Sequence, residues 1–470
     1  MKKVFITTAA ILLALCLNAQ VSVWDGTAEP WTNGSGTEDD PYLIENAAQF
    51  AYLQYHKSPF EYFKLMTDVD LDNRDWFPIG HSSYTYAPFW GCVDGNGHTI
   101  YHLTATLFGV VEEGGIKNLT IRDSDIVYEF EHGFNSFSSF ANFVPWVENC
   151  HNYSNIILDY DEDYAGLSWR IGGIAGKCGT IRNCSNHGNI EILTKSRIGN
   201  LYVGGVAGSA YIVEESFNVG EIIAESESIH CYIGGICSEI TGRISYCYNM
   251  TDLDYNYSDS YIGGIAGSFY TTPDNDVDTL IINSCYNTGS VDAQYTGGIL
   301  AINDYEEVVV NADNSYYINT IESINDYGFP KSDEEMKNQE FVSLLNNGAN
   351  IYAMDDLNHN SGYPIFVRYY SVIENDVNNS IDVYPNPASG VISVSFDDNA
   401  DCHSVEIFSL DGRLVKAPSA NFNAIDISSL ASGLYMIKVR TKDGREYNER
   451  IVKEQKRLTN LSKLACFVSP

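Results

Sequence analysis

One repeated unit runs through the middle of the chain and limits what it can fold into. A Gly-Gly-aliphatic triplet recurs at Gly172-Gly173-Ile174, Gly204-Gly205-Val206, Gly234-Gly235-Ile236, Gly263-Gly264-Ile265 and Gly297-Gly298-Ile299, in steps of 32, 30, 29 and 34 residues. A second block follows, reading Ile181-x-x-Cys184-x-Asn186-x-Gly188-x-Ile190 in one copy. Other copies begin at Val213 (with Ser216 and Asn218), Ile244 (with Cys247 and Asn249) and Ile282 (with Cys285 and Asn287). Degenerate copies contain Cys150 and Asn152 on one side, and Ser315 and Tyr317 on the other.

From the Cys position to the closing aliphatic, the block alternates with period two, which is strand periodicity. Variable residues such as Ser185, His187 and Tyr248 are expected to point outward. A unit of about 30 residues with short strands cannot close a core alone, so the units must stack. Stacked in parallel, Asn152, Asn186, Asn218, Asn249 and Asn287 should form one column of mutually hydrogen-bonded carboxamides. The cysteines at the equivalent position should form a column of small buried residues. The glycine pairs belong where turns are tight or backbones approach closely. The predicted architecture is all-β: a right-handed parallel β-helix solenoid with small helical caps, followed by an immunoglobulin-like β-sandwich.

The repeat resembles the GLUG motif of bacterial surface proteins. The segments before it strengthen the resemblance: Gly36-Thr37-Glu38-Asp39-Asp40-Pro41-Tyr42, Trp76-x-Pro78-Ile79-Gly80, Asp94-Gly95-Asn96-Gly97-His98 and Leu107-Phe108-Gly109. The resemblance covers about residues 36–325 and implies a solenoid at the cell surface or outside the cell. Such proteins are often thought adhesive, and the resemblance implies no particular ligand or reaction.

The parts divide as follows. Residues 1–19, with Lys2 and Lys3 before an apolar run, read as a signal peptide. Residues 20–59 are a lead-in and cap, with a helix near Glu45–Tyr55. Residues 60–325 form the β-helix. Residues 326–372 form a second cap, opened by the capping box Ser332-Asp333-Glu334-Glu335, which should close the open end of the solenoid. A polar linker spans 373–380, a sandwich 381–455 and a tail 456–470.

About seven short strands in the sandwich are separated by turns at Asp411-Gly412, Ser432-Gly433 and Asp443-Gly444. Tyr384-Pro385-Asn386-Pro387-Ala388-Ser389-Gly390, Asp411-Gly412-Arg413 and Leu430-x-x-Gly433-Leu434-Tyr435 resemble the type A sorting domain of the type IX secretion system. The resemblance implies recognition by that outer-membrane machinery, through a signal that includes Tyr384, Pro385, Asn386, Pro387, Gly390, Asp411, Gly412, Gly433 and Tyr435. Such domains usually close their chains, whereas here 15 residues follow Gln455.

Composition narrows the function. With 27 basic and 62 acidic residues the formal charge is -35, which repels nucleic acid and anionic membranes. Beyond the first 19 residues no segment is apolar for long enough to span a bilayer. No HExxH, GxSxG, P-loop or dinucleotide motif is present. The acidic clusters Asp159/Asp161/Glu162/Asp163 and Asp252/Asp254/Asp259 read as solvated loops. Asp68-x-Asp70-x-Asp72-x-x-Asp75 lacks the glycine and distal glutamate of a calcium loop. The acidic loops allow weak calcium binding at no nameable site, and no cofactor is expected. Two aromatic groups are candidate binding elements: Tyr84, Tyr86, Phe89 and Trp90, and Phe130, Phe134, Phe137, Phe140, Phe143 and Trp146. The second group reads as a loop between turns. The leading expectation is a non-enzymatic, adhesin-like binder of an extracellular glycan or protein. The alternative is a carbohydrate-active β-helix enzyme, a polysaccharide lyase or glycoside hydrolase.

Overall fold

A computed structural model describes residues 21–368 and 381–453, except 57, 81–87, 129–134, 161–167, 195–198, 227–229, 256–258, 271–278, 302–308, 326, 357, 385–387, 389, 397–401, 410–413, 417–423, 431–432 and 442–445. The chain forms two compact units, Met1–Pro364 and Ile365–Pro470. The first is a parallel β-solenoid. The signal-peptide reading of residues 1–19 lies outside the described residues.

Apolar columns fill the solenoid. Val147, Ile181, Val213, Ile244 and Ile282 lie opposite one another on successive turns. Ile156, Ile190, Ile222, Leu253 and Val291 form the second column, and Phe137, Ile171, Val203, Ile233 and Ile262 the third. All are buried. With Ile174, Val206, Ile236, Ile265 and Ile299 as a further buried column, each turn adds at least four large side chains to the core, each worth roughly 1.5–3 kcal/mol on burial.

The asparagines form the predicted type of column within this wall. Nδ2 donates to the next Oδ1 from Asn152 to Asn186 (2.8 Å), Asn186 to Asn218 (2.9 Å), Asn218 to Asn249 (3.0 Å) and Asn249 to Asn287 (2.8 Å). The second Nδ2 proton of each goes to a backbone carbonyl two residues on, Ser154 O in the first copy and Gly289 O in the last. All five residues are fully buried, and burial is tolerable because each carboxamide has its partners. Ile121 and Tyr317 occupy the column at its two ends.

The glycine pairs explain where the carboxamides fit. A Cβ on Gly173 would lie 2.4 Å from Asn186 Cγ, and one on Gly205 2.4 Å from Asn218 Cγ. The second glycine of the first four pairs is the seat of an asparagine, and Gly298 of the fifth is the seat of the Tyr317 ring. Ser139 precedes the series, and its hydroxyl donates to Gly173 O. The Cys position has one chemistry throughout. Cys150, Cys184, Cys247 and Cys285 each donate Sγ–H to the carbonyl two residues back, and Ser216 makes the same bond with its hydroxyl. These four are free thiols, as are Cys92, Cys178, Cys231 and Cys237.

Immediately before the Cys position the backbone turns through the left-handed region. Asn118, Asn149, Asn183, Glu215, Tyr246, Ser284 and Asn314 all have φ between 48° and 56°. Asparagine tolerates this conformation best among non-glycine residues. Its carboxamides form a second, outer ladder: Asn118 donates to Asp94, Asn149 to Asn118 and Asn183 to Asn149. Glu215 ends it, leaving the buried Oδ1 of Asn183 without a partner.

Charges follow the same spacing. Lys64, Asp94, Lys117, Glu148, Arg182 and Glu214 stand opposite one another in strict alternation. Arg182 and Arg243 both contact Glu214, at 2.7 and 2.5 Å.

The structure differs from expectation in four places. Pairing extends past 60–325: Tyr42–Ile44 pairs with Glu61–Leu65, Ser22–Val23 with Val69–Asp70, and Phe329–Lys331 with Tyr316–Ile318. Of the stretch 130–146, the described residues 135–146 are no inserted loop. Ser136–Ser138 and Ala141–Tyr160 are strands of a full turn, with Phe137 and Phe140 in the core. Ser185 and Tyr248 are buried rather than solvated. The segment after Ser332 does more than cover an end: it packs along the outer wall of the last turns. Phe341 meets Tyr286 and Tyr316 (6.0 and 5.2 Å between centroids), and Tyr352 Oη donates to Ser284 O at 3.0 Å. That wall is a stacked column of Phe217, Tyr248 and Tyr286, too apolar to leave wet. The Ser332/Glu335 capping box is formed, and at the other end the helix Ala47–Ala51 stacks Phe50 on Trp76.

The second unit contains two antiparallel sheets. Ile381–Tyr384, Val391–Phe396 and Ile425–Asp426 form one; Leu414–Lys416, Cys402–Ser409, Gly433–Thr441 and Glu446–Lys453 form the other. Ile392, Val394, Val405, Ile407, Ile437 and Ile451 are buried in one core shared by both sheets.

Three outcomes test this account. Asn218→Ala removes three hydrogen bonds and strands neighbouring amide groups, so thermal unfolding should show a loss on the order of 3 kcal/mol or more. Glu215→Asn should instead stabilise by about 1 kcal/mol, since it eases the left-handed turn and supplies a donor to Asn183. Burial pushes the Cys150 and Cys247 thiols well above their ordinary range. Alkylation at pH 8 should therefore leave the seven buried thiols untouched in the native protein and label them all after denaturation, counted by mass spectrometry.

Candidate binding face

Two residues before four of the five glycine pairs the chain places a tyrosine: Tyr202, Tyr232, Tyr261 and Tyr295. Strand alternation turns these side chains outward while Val203, Ile233 and Ile262 point into the core. In-register stacking then brings the rings face to face. Centroids are 5.0, 5.1 and 4.5 Å apart, with ring planes within 14° of parallel. All four rings are partly exposed. Such pairs contribute about 0.5–1.5 kcal/mol each beyond their burial. Arg170 closes the row, its guanidinium 4.8 Å from the Tyr202 centroid. The same guanidinium contacts Glu239 on the neighbouring wall at 3.0 Å. Glu239 is only 6% exposed, between Ser209 and Ser268 in register above and below it. Asn200 Nδ2 donates to the Tyr202 hydroxyl at 3.3 Å and Gln294 Nε2 to that of Tyr295 at 3.5 Å. The result is a row of phenol edges bordered by amides and one ion pair.

This row escaped the reading from sequence, although the Tyr-x-Gly-Gly pattern is visible at four sites. The aromatic groups singled out instead are divided. Phe89, Phe137 and Phe140 are core residues, and Trp90, Phe143 and Trp146 are half-buried. Tyr84, Tyr86, Phe130 and Phe134 lie outside the described residues.

The acidic candidates serve the framework. Asp68 Oδ1 binds His98 Nδ1 at 3.0 Å and accepts from Thr99 N, and Asp70 Oδ1 binds His102 Nδ1 at 2.7 Å. Asp72 lies 3.3 Å from Arg74. Asp252 accepts from Ser290 N at 2.7 Å, and Asp254 stands opposite Asp292. Asp161, Glu162 and Asp163 lie outside the described residues. Among the described residues no group of three or more His, Cys, Asp or Glu is arranged to hold a metal ion. No helix among them is long and apolar enough to cross a membrane.

In the second unit, Tyr384 ends the first strand, and Gly390 accepts from Ile427 N at 2.7 Å, which joins two strands of one sheet. Gly433 lies opposite Lys453 and Tyr435 opposite Ile451, with the Tyr435 ring buried. Pro385, Asn386, Pro387, Asp411 and Gly412 lie outside the described residues.

Comparison with known proteins separates the two units. Over 210 residues, 43% of this chain and 10% of that protein, the sequence is 26% identical to an immunoglobulin A1 protease of Streptococcus sanguinis. Over 76 residues, 16% of this chain and 14% of that protein, it is 34% identical to an ulvan lyase of Nonlabens ulvanivorans. The chain thus spans no more than 14% of either relative. A crystal structure described as a candidate immunoglobulin A1 protease from Bacteroides ovatus aligns with a TM-score of 0.44 at 19% identity, over 72% of this chain and 95% of that one. Residues 382–454 match the family described as the secretion system C-terminal sorting domain. The second unit is therefore a sorting domain of the type IX secretion system, and the protein that carries it is exported to the cell surface or the extracellular space.

Proposed function

We propose that this exported protein is a non-enzymatic, adhesin-like binder whose solenoid presents the tyrosine row to an extracellular glycan or protein. The row itself carries this reading. Four partly exposed aromatic side chains in register, held on a hydrogen-bonded parallel sheet, form a pre-organised surface of the kind that binds at low entropic cost. The sorting domain contributes delivery: its signal, centred on Tyr384 to Gly390 and Asp411-Gly412, is read by the export machinery.

A second reading has one specific support, the similarity of a 76-residue stretch to part of an ulvan lyase. It makes the chain a carbohydrate-active enzyme. The acids placed by the structure favour the first reading, because Asp68, Asp70, Asp252 and Glu239 are engaged with His, Arg or backbone partners.

Two measurements test these assignments. The secreted full chain, applied to an array of glycans and matrix proteins, should bind at least one class of ligand. Tyr232→Ala with Tyr261→Ala should lower that binding at least tenfold. Release of new reducing ends from uronate polysaccharides would favour the enzyme instead. For delivery, cells expressing a chain lacking 376–470 should hold it in the periplasm, whereas the full chain reaches the surface or the medium. Removing only 456–470 should leave export intact. Surface appearance of the chain lacking 376–470 would sink the sorting role.

A further inference from the structure

The spacing of the tyrosine row identifies the kind of ligand that fits it. Resting on the binding function proposed above, we infer that the row from Arg170 to Tyr295 is a linear subsite array for a neutral, extended polysaccharide lying along the solenoid axis.

Three observations lead there. The first is period. The rings repeat every 4.5 to 5.1 Å. An extended peptide advances about 3.3 Å per residue, or about 6.6 Å per same-side pair, and falls out of step with the row after one or two contacts. A hexose in an extended β-linked chain advances by nearly the ring spacing, so each sugar meets an equivalent tyrosine. The second is the chemistry presented. Because the rings stack on one another, their faces are occupied and the ligand meets edges and hydroxyls. Ring edges carry the positive end of the aromatic quadrupole, and phenols both donate and accept. Asn200 and Gln294 place carboxamides beside the phenols. Rows of hydroxyls and amides match the hydroxyls and ring oxygens of a neutral sugar.

The third observation is charge. The chain carries -35, and the one cation of the row, Arg170, is already paired with Glu239. A sulfated or carboxylated polymer would meet general repulsion, and among the described residues the row's own cation is already neutralised. A neutral polymer meets none. Five positions, Arg170 and the four tyrosines, set the length of the array.

The test is calorimetric titration of the full secreted chain with β-1,4-linked glucose and mannose oligomers of two to eight units. Affinity should rise stepwise with length and level off near five units. Replacing tyrosine by phenylalanine preserves the stack while deleting the hydroxyls. The double variant Tyr232→Phe/Tyr261→Phe should therefore bind at least tenfold more weakly and lose the stepwise rise of affinity with length, a readout that a purely structural role for the row would not produce. Affinity independent of length beyond two units would overturn the assignment. So would preference for an anionic polymer such as hyaluronate. Capture of a matrix protein that these variants abolish would overturn the glycan assignment while leaving the proposed binding function standing. Undiminished binding by both the phenylalanine and the alanine variants would remove the row from either role.

Discussion

Each paired strand residue in this solenoid has a counterpart about 4.8 Å away on the next turn, and that spacing governs what each position can hold. A column must be filled by groups that tolerate themselves as neighbours. Asparagine does so because its carboxamide is donor on one side and acceptor on the other. Isoleucine and valine do so by packing, tyrosine by stacking. Like charges repel at this spacing, and the column from Lys64 to Glu214 alternates in sign, while the exposed Asp254 and Asp292 stand opposite each other at one edge. The asparagine ladder imposes the strictest condition: it is fully buried and leaves no room for a Cβ on the facing glycine. The two most visible repeat signals, Gly-Gly and the Cys-x-Asn block, are therefore two halves of one contact.

Rigidity follows from this arrangement and leads to the functional reading. Each turn is held by backbone ladders on several walls, so residues on the outside are placed with the regularity of the interior. A row of partly exposed tyrosines on such a wall is fixed before any partner arrives. The sorting domain has its own sandwich core, seven short strands around Ile392, Ile407 and Ile437, and its role in export asks for no chemistry in the solenoid.

Much of this was legible in the sequence because a solenoid is nearly one-dimensional: residues that touch share a repeat position. The register of Asn152, Asn186, Asn218, Asn249 and Asn287 follows directly from aligning the copies. The copy at Cys150 and Asn152 is legible, but the residues before it read as a loop because Ser138 and Ser139 stand where later copies have Gly-Gly, and Phe137 and Phe140 fill core positions held elsewhere by aliphatics. The outer asparagine ladder was hidden because its backbone conformation is shared by Glu215 and Tyr246, which leave no common residue type to align.

What the sequence determined by itself was the solenoid, its asparagine and cysteine columns, and the sorting domain, since each is written as a local pattern repeated or closely matched. Only the tertiary structure decided which outward residues are wet. Tyr248 and Tyr261 occupy similar outward positions in their strands. Tyr248 is buried at 3% exposure in the wall overlaid by Phe341 and Tyr352, whereas Tyr261 remains partly open to solvent. Strand periodicity tells inside from outside, but not whether a distant segment covers the outside. That depends on where 333–364 comes to rest, which is a contact between residues far apart in the chain and is written in no local period.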